Sequence, residues 1–179
     1  MNFAAFAKQR RTTYEYSVRK PSASVIKGVL EVAQWSPSCH NLQPWTFIVV
    51  RNKRTIRALV DSSISAGFVP HLPPVVIAIM LDEHCIEGVN RCAAIAADAV
   101  PEAHICIGTA SLNICYAAQA KGWQTGLLSP DPGIAAKLLR VPRGCKVPLL
   151  VLFGKERKGA YRKPRQRKSL RDIVRSERA

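Results

Sequence analysis

Residues 36–50, Ser36-Pro37-Ser38-Cys39-His40-Asn41-Leu42-Gln43-Pro44-Trp45-Thr46-Phe47-Ile48-Val49-Val50, join a stiff polar loop to a continuous apolar run. Pro37 and Pro44 fix the backbone at both ends of the loop. Ser38, Asn41 and Gln43 then present donors and acceptors from a rigid scaffold, as a planar heterocycle with amide-like edges requires. Trp35 and Trp45 offer flat apolar walls beside them. The competing reading is a loop whose Asn and Gln satisfy its own backbone, as in Asx-type turns. Thr46 to Arg51 has no polar alternation, so it reads as a strand covered on both faces. Upstream, Val25, Ile26, Val29, Leu30 and Ala33 recur at helical spacing from about Ser24 to Trp35, and Pro37 stops that helix.

The pattern repeats outward from this point. Phe3, Phe6 and Ala7 mark a short helix ahead of Gln9. Asn52 caps a helix over Lys53 to Val60, with Ile56, Leu59 and Val60 inward. The prolines of Gly67 to Pro74 make a loop, and Val75 to Leu81 is a second buried strand. Asp82 to Val100 is Ala-rich and helical in places, without a clear face. Pro101 to Lys121 is a helix of small apolar residues (Ile105, Ile107, Ala110, Leu112, Ile114, Cys115, Ala118) ended by Gly122, apolar enough to be buried on most sides or against a copy of itself. Thr125 to Leu128 is a short strand. Asp131-Pro132 opens a helix with Ile134, Leu138 and Leu139 inward, and Val147 to Gly154 is the last strand. Four such strands among helices give an α+β or α/β domain with a short sheet covered on both faces.

The chain has 179 residues, 47% hydrophobic and 22% charged, which suits one globular domain with a real core. No apolar run is long enough to span a bilayer, and Met1 to Lys20 shows no signal peptide. Six cysteines (Cys39, Cys85, Cys92, Cys106, Cys115, Cys145) lack a C-x-x-C pair, and four histidines lack metal-ligand spacing. Free thiols packed as small hydrophobes point to a reducing cytoplasm. Neither a GxGxxG nor a P-loop signature is present. The net charge, +15, sits at the ends: residues 1–20 carry +4, residues 155–179 carry +8, and the 134 residues between only +3. Its readings are a solvated tail, a nucleic-acid patch, or two ends converging on one phosphate.

Three clusters carry the chemistry. Arg10-Arg11-Thr12 sets forked donors beside a hydroxyl, a phosphate-binding combination. The second is the loop from Ser36 to Trp45. The third, Arg162-Lys163-Pro164-Arg165-Gln166-Arg167-Lys168-Ser169-Leu170, has Tyr161 as its one aromatic neighbour, fewer than base-stacking single-strand binders use.

Together with Gly122-Trp123-Gln124-Thr125-Gly126, these stretches resemble, in order and over nearly the whole chain, the FMN-dependent nitroreductase family. The resemblance implies an α+β three-layer fold with a small mixed sheet, residues 1–179 as one domain, and an intertwined homodimer with FMN at the subunit interface. It places Arg10, Arg11 and Thr12 near the flavin phosphate and ribityl chain, completed by Arg165 and Arg167. Pro37, Ser38 and Asn41 of a second copy meet the isoalloxazine ring, with Gln43 a weaker candidate, and the Gln124-Thr125-Gly126 backbone nears its reactive edge. The helix from Pro101 to Lys121 becomes the dimer core, and residues 155–179 a basic arm wrapping the partner. The implied activity is ping-pong electron transfer from NADH or NADPH to nitroaromatic, quinone or similar small acceptors. Because flavin supplies the redox chemistry, no catalytic triad is needed.

Departures from the family are as specific. Tyr14 stands where the family often has a further basic residue, Asp82 to Val100 is short for a helical lid, and Cys39 and His40 replace small residues. Adjacent residues on an extended loop point apart, which weighs against a Cys–His nucleophile. Two rivals stay open: a specialised member that consumes reduced flavin, and a flavin-binding or nucleic-acid-binding protein without turnover.

Overall fold

The computed structural model describes residues 2–84, 99–162 and 164–177, with side chains described from Glu102 onward in the second segment. The expectation of partly helical structure over Asp82 to Val100, too short for a lid, falls largely outside these residues, as do Cys85, Cys92, Lys163 and Arg178.

Four apolar runs form one sheet: β1 (Trp45–Val50), β2 (Val75–Asp82), β3 (Gln124–Leu128) and β4 (Cys145–Gly154). Their order is β1-β2-β4-β3, and all three ladders are antiparallel. The parallel pairing of a mixed sheet is confined, among the described residues, to the isolated bridges Thr12–Thr125 and Glu15–His71. β4 begins two residues before the expected Val147. Leu81 pairs with Lys146 while Ile79 pairs with Leu149, so β4 carries one extra residue opposite Met80. Pro148 sits in that bulge, where its missing N–H costs no ladder bond.

Alternation along each strand divides the core into two layers. Val75, Ile77, Ile79, Leu81, Val151 and Phe153 face α2 (Ala23–Ala33) and α4 (Ala99–Ala120). Val76, Ala78, Leu150 and Leu152 face α3 (Lys53–Asp61) and α5 (Pro132–Leu139). The result is a three-layer α+β fold, helix–sheet–helix, with α1 (Phe3–Gln9) laid against α4 through Phe3, Phe6 and Tyr116. Among the described residues no helix is long and apolar enough to cross a membrane.

The helices end where their caps dictate. Ser22, Asn52 and Asp131 each accept a backbone N–H of the first turn. α4 closes on a Schellman motif, with Trp123 N bonded to Ala118 O, Gly122 N to Gln119 O, and Gly122 at φ 69°. α5 departs from the expected face: Ala135 is buried and Leu139 packs beside it, while Ile134 is 46% and Leu138 38% exposed. The small residue one position along takes the buried place against the sheet. α4 is also less enclosed than its composition implies, with Ile105 66% and Leu112 47% exposed on one side.

Gly126 and Gly154 let the chain entering from α1 lie flat on the sheet. A Cβ at Gly126 would collide with the Thr13 carbonyl, and one at Gly154 would stand 2.7 Å from Pro74 Cδ and 2.8 Å from Tyr16 Cδ1. Backbone cannot yield as a side-chain tip can, so Gly126→Ala should destabilise the fold by about 1–3 kcal/mol. Urea denaturation checks this, and an unchanged midpoint would refute the close packing.

Candidate functional site

The two basic ends of the chain meet over the β3–β4 end of the sheet. Thr13 N bonds Thr125 O at 2.9 Å, beside the Thr12–Thr125 bridge. Tyr16, buried, donates its hydroxyl to Thr13 O, and burial pushes its phenol well up, so it stays a neutral donor. The chain leaving β4 is stitched to the same segment: Ser17 N to Lys155 O, Arg157 N to Glu15 O, and Tyr161 N to the Glu15 carboxylate at 3.2 Å. Arg165 Nη1 then reaches Arg10 O at 3.0 Å, 155 positions away in sequence.

Between these segments lies a cavity of about 540 Å³, and Arg10, Arg11, Thr12, Arg165 and Arg167 all line it. A smaller space of about 200 Å³ shares the Arg11, Thr13, Glu156 and Arg162 wall and reaches Gln124 and Thr125. Gly126, next along β3, packs against Thr13 and Tyr14, which line the larger cavity. The structure thus brings together eight of the residues singled out in the sequence. It adds Glu15, Glu156, Arg162, Tyr14, Phe68 and Tyr161 to the larger cavity. Glu156 is the organiser among them: its carboxylate accepts from Thr13 Oγ1 at 3.3 Å and from Arg162 Nε at 3.0 Å, while its N–H bonds Gln124 Oε1. An isolated acid in a basic tail is easily passed over, and the sign alternation Lys155-Glu156-Arg157 was its one signal.

At Arg165 charge crowding adds to desolvation. Loss of surrounding water, then the guanidinium groups of Arg11, Arg167 and Arg10, lower it from the ordinary arginine range. Five arginines face this cavity against two carboxylates, one of them paired to Arg162. Such an arrangement offers forked donors to an anion rather than to its own side chains.

The loop from Ser36 to Pro44 is built elsewhere. Its turn, Cys39–Asn41, holds His40, Asn41 and then Gln43 at positive φ (47°, 55° and 48°). Three non-glycine residues there store strain, which persists because the loop is tied down at both ends. Ser38 Oγ accepts from Gln43 N at 3.0 Å, and Gln43 Nε2 donates to Asn41 O and Oδ1 at 3.2 Å. Gln43 therefore braces the loop, leaving the Asn41 amide nitrogen and the Pro37 ring at the surface. α4 supports the loop from below: Thr109 Oγ1 donates to Pro37 O, and Asn113 Nδ2 to Ser36 Oγ. Trp35 is 82% exposed, whereas Trp45 stacks on Phe47.

Sheet geometry keeps this loop away from the arginines. The loop feeds the first residue of β1, at one edge and one end of the sheet, while Thr12 pairs with β3 at the opposite edge and opposite end. Between Lys146, beside Leu81, and Gly154, beside Gln124, β4 runs roughly 26 Å at about 3.3 Å per residue. Three strand spacings add roughly 14 Å across, so Trp45 and Gln124 stand roughly 30 Å apart on the diagonal. Pro37, Ser38, Asn41 and Gln43 line neither of the two cavities.

Cys39 takes part in this support. Its thiol donates to the Glu102 carboxylate at 3.0 Å and its N–H faces Cys106 Sγ at 3.4 Å. The hydrogen bond to Glu102 raises the thiol from its ordinary range, so alkylation at pH 8 should be slow. In Glu102→Gln the thiolate no longer meets a carboxylate, and the pH midpoint for iodoacetamide labelling of Cys39 should move down. Mass-spectrometric rates across pH 7–10 test it; superimposable profiles would refute the assignment.

Comparison with known proteins places this geometry. A model of the nitroreductase family matches residues 7–171. Solved structures share the fold: a nitroreductase family protein from Streptococcus pneumoniae (TM-score 0.81, 19% identity, 98% of this chain and 100% of that one) and a protein from Exiguobacterium sibiricum in complex with FMN (0.84, 21%, 99% and 98%). Shorter sequence matches run to an NADH dehydrogenase of Thermus thermophilus, 34% identical over 71 residues, and to an iodotyrosine dehalogenase 1 homolog of Caenorhabditis elegans, 41% over 58. These cover 40% and 31% of this chain, but only 35% and 18% of those proteins. Since the family match runs from α1, through the strained loop and the sheet, to the basic tail, the chain belongs to the nitroreductase family.

Proposed function

We propose that the chain is an FMN-dependent oxidoreductase, active as a homodimer, that takes electrons from NADH or NADPH and passes them to nitroaromatics, quinones or related small acceptors. The observation that carries this reading is the diagonal separation of two complementary half-sites. One protomer holds an anion clamp at one corner of its sheet and a rigid amide-bearing loop at the other. Neither alone encloses a phosphate-tailed heterocycle, but a clamp from one copy and a loop from another would.

The residues present fit FMN on their chemistry. Arg10, Arg11, Thr12, Arg165 and Arg167 would hold the phosphate and ribityl chain, in the cavity whose guanidinium groups outnumber its carboxylates. Pro37, Ser38 and Asn41 of the second copy would meet the ring, with Gln43 keeping the loop in shape. The Gln124-Thr125-Gly126 backbone lies on the wall shared with the clamp and is the part of β3 nearest a ring held there. When bound, FMN supplies the two-electron redox chemistry, so the protein's task is to anchor, orient and leave one face open. Exposed apolar residues support pairing of two copies: Ile105, Gly108 and Leu112 of α4, with nothing within 4 Å of a Cβ at Gly108, together with Val32 of α2 and Trp35 just beyond its end. In this reading the tail beyond Arg167, with Leu170, Ile173 and Val174 exposed, is the arm that crosses to the partner.

Subunit complementation tests the shared site. Arg165→Ala should lose flavin, and Asn41→Ala should keep flavin with altered spectrum and little turnover. After denaturation and co-refolding of equal amounts, half of the dimers are mixed and each carries one intact site. NAD(P)H oxidation with a nitrofuran or menadione should then return to about one quarter of wild type. No recovery would mean that each site belongs to one chain. An acceptor panel that includes iodotyrosine, run with each nicotinamide, identifies the substrate class.

A further inference from the structure

We propose that the cavity between the chain ends carries a second subsite beside the phosphate clamp: a shelf for an adenosine phosphate, made by Tyr14, Phe68 and Tyr161. The inference deepens the flavin reading by sharing its clamp, but the shelf has observations of its own.

Tyr14 occupies a position where a further basic residue would have extended the clamp, and it turns an aromatic ring to the cavity instead. That ring stacks on Phe68, with centroids 6.2 Å apart and planes 29° apart. Phe68 is 67% exposed and Tyr161 79% exposed, although both line the cavity. The platform is rigid. Tyr14 lies between Thr13, bonded to β3, and Glu15, bridged to His71. Phe68 ends the 3-10 turn Ala66–Phe68, anchored by the buried Val69. Tyr161 is held by its N–H to Glu15.

Flat apolar faces beside a guanidinium cluster are the two components of nucleotide recognition: a purine stacks while its phosphate is forked. At about 540 Å³ the cavity also far exceeds a phosphate group and falls within the range of whole small-molecule sites. Its concave form suits a single nucleotide better than an extended strand, which needs a groove with successive stacking positions. An adenosine phosphate could arrive from two sources, the AMP half of FAD or the adenosine half of the nicotinamide donor.

The test titrates the full-length protein with ADP-ribose, and compares wild type with Phe68→Ala and Tyr161→Ala. Both side chains are largely exposed, so the variants should fold, and their FMN retention and thermal midpoint serve as controls. ADP-ribose should bind wild type and weaken about ten-fold in each variant. Two further arms name the source. If FAD is the ligand, the FAD:FMN ratio retained from an equimolar mixture should fall about ten-fold in Phe68→Ala. If the donor is the ligand, that ratio stays level while KM for NADH or NADPH rises at constant kcat. Equal ADP-ribose affinity in all three proteins would overturn the shelf, as would tighter binding of a short oligoribonucleotide than of ADP-ribose. Retained FMN without ADP-ribose binding removes the shelf alone; ADP-ribose binding without FMN removes the flavin reading and keeps the shelf.

Discussion

The missing side chain at Gly126 governs the placement of almost everything at the candidate site. Because β3 has no Cβ there, the Thr13 carbonyl settles directly on the strand, and Thr13 N can bond Thr125 O. Tyr16 then fills the space over Gly154 with its hydroxyl on Thr13 O. With residues 12–16 fixed, their remaining polar groups are free for the chain leaving β4, which returns along them through Ser17, Glu15 and Thr13. The clamp is the last consequence of this sequence of contacts. Arg10 and Arg165 are neighbours because two stretches of backbone have already been pinned to one glycine-lined corner.

The arginine cluster and the loop from Ser36 to Pro44 are both locally unfavourable, and each depends on neutral structure around it. Like charges gather at the clamp, and three residues of the loop sit in the left-handed region at a cost of about 1–2 kcal/mol apiece for residues less tolerant than Asn. The compensations are visible. Buried layers cover both faces of the sheet, and Glu156 draws Arg162 and Thr13 together inside the basic cluster. α4 supports the loop with four hydrogen-bonded contacts, through Glu102, Cys106, Thr109 and Asn113. Strain held in this way is preorganisation: donors stay aimed outward because they have nowhere else to turn.

Helices and strands were legible because their signals are local. The caps at Asn52 and Asp131, the stop at Gly122 and the unbroken apolar runs each depend on a few neighbouring residues. Charge distribution left the gathering of the two basic ends as one reading among three, and the family resemblance singled it out together with the three-layer fold. What could not be read was non-local or small. No pattern announces that Gly126 receives a carbonyl from 113 residues upstream, that Ala135 rather than Ile134 enters the core, or that a bulge at Pro148 lets β4 begin at Cys145. Positive φ at Gln43 was equally hidden, since that residue type does not favour it and its bonds to Ser38 and Asn41 help hold it there.

The surplus charge of the C-terminal segment now divides by partner. Lys155, which one phosphate has no need of, donates to Gly122 O and lies 4.9 Å from the Trp123 ring, which Arg19 also approaches at 5.9 Å. Arg157 meets His71, and Arg162 meets Glu156. These cations hold the tail to the sheet, and they do so with carbonyls, a ring and a carboxylate rather than with a ligand. Arg165 and Arg167 instead join Arg10 and Arg11 in the cavity, where Arg165 donates to Arg10 O and Arg167 to Gln166 O. The distinction is physical: a cation already engaged by protein acceptors fixes structure, whereas cations gathered without a carboxylate between them gain most from an incoming anion. Basicity at the two ends of this chain is therefore two devices, one that fastens the tail and one that the fastened tail completes.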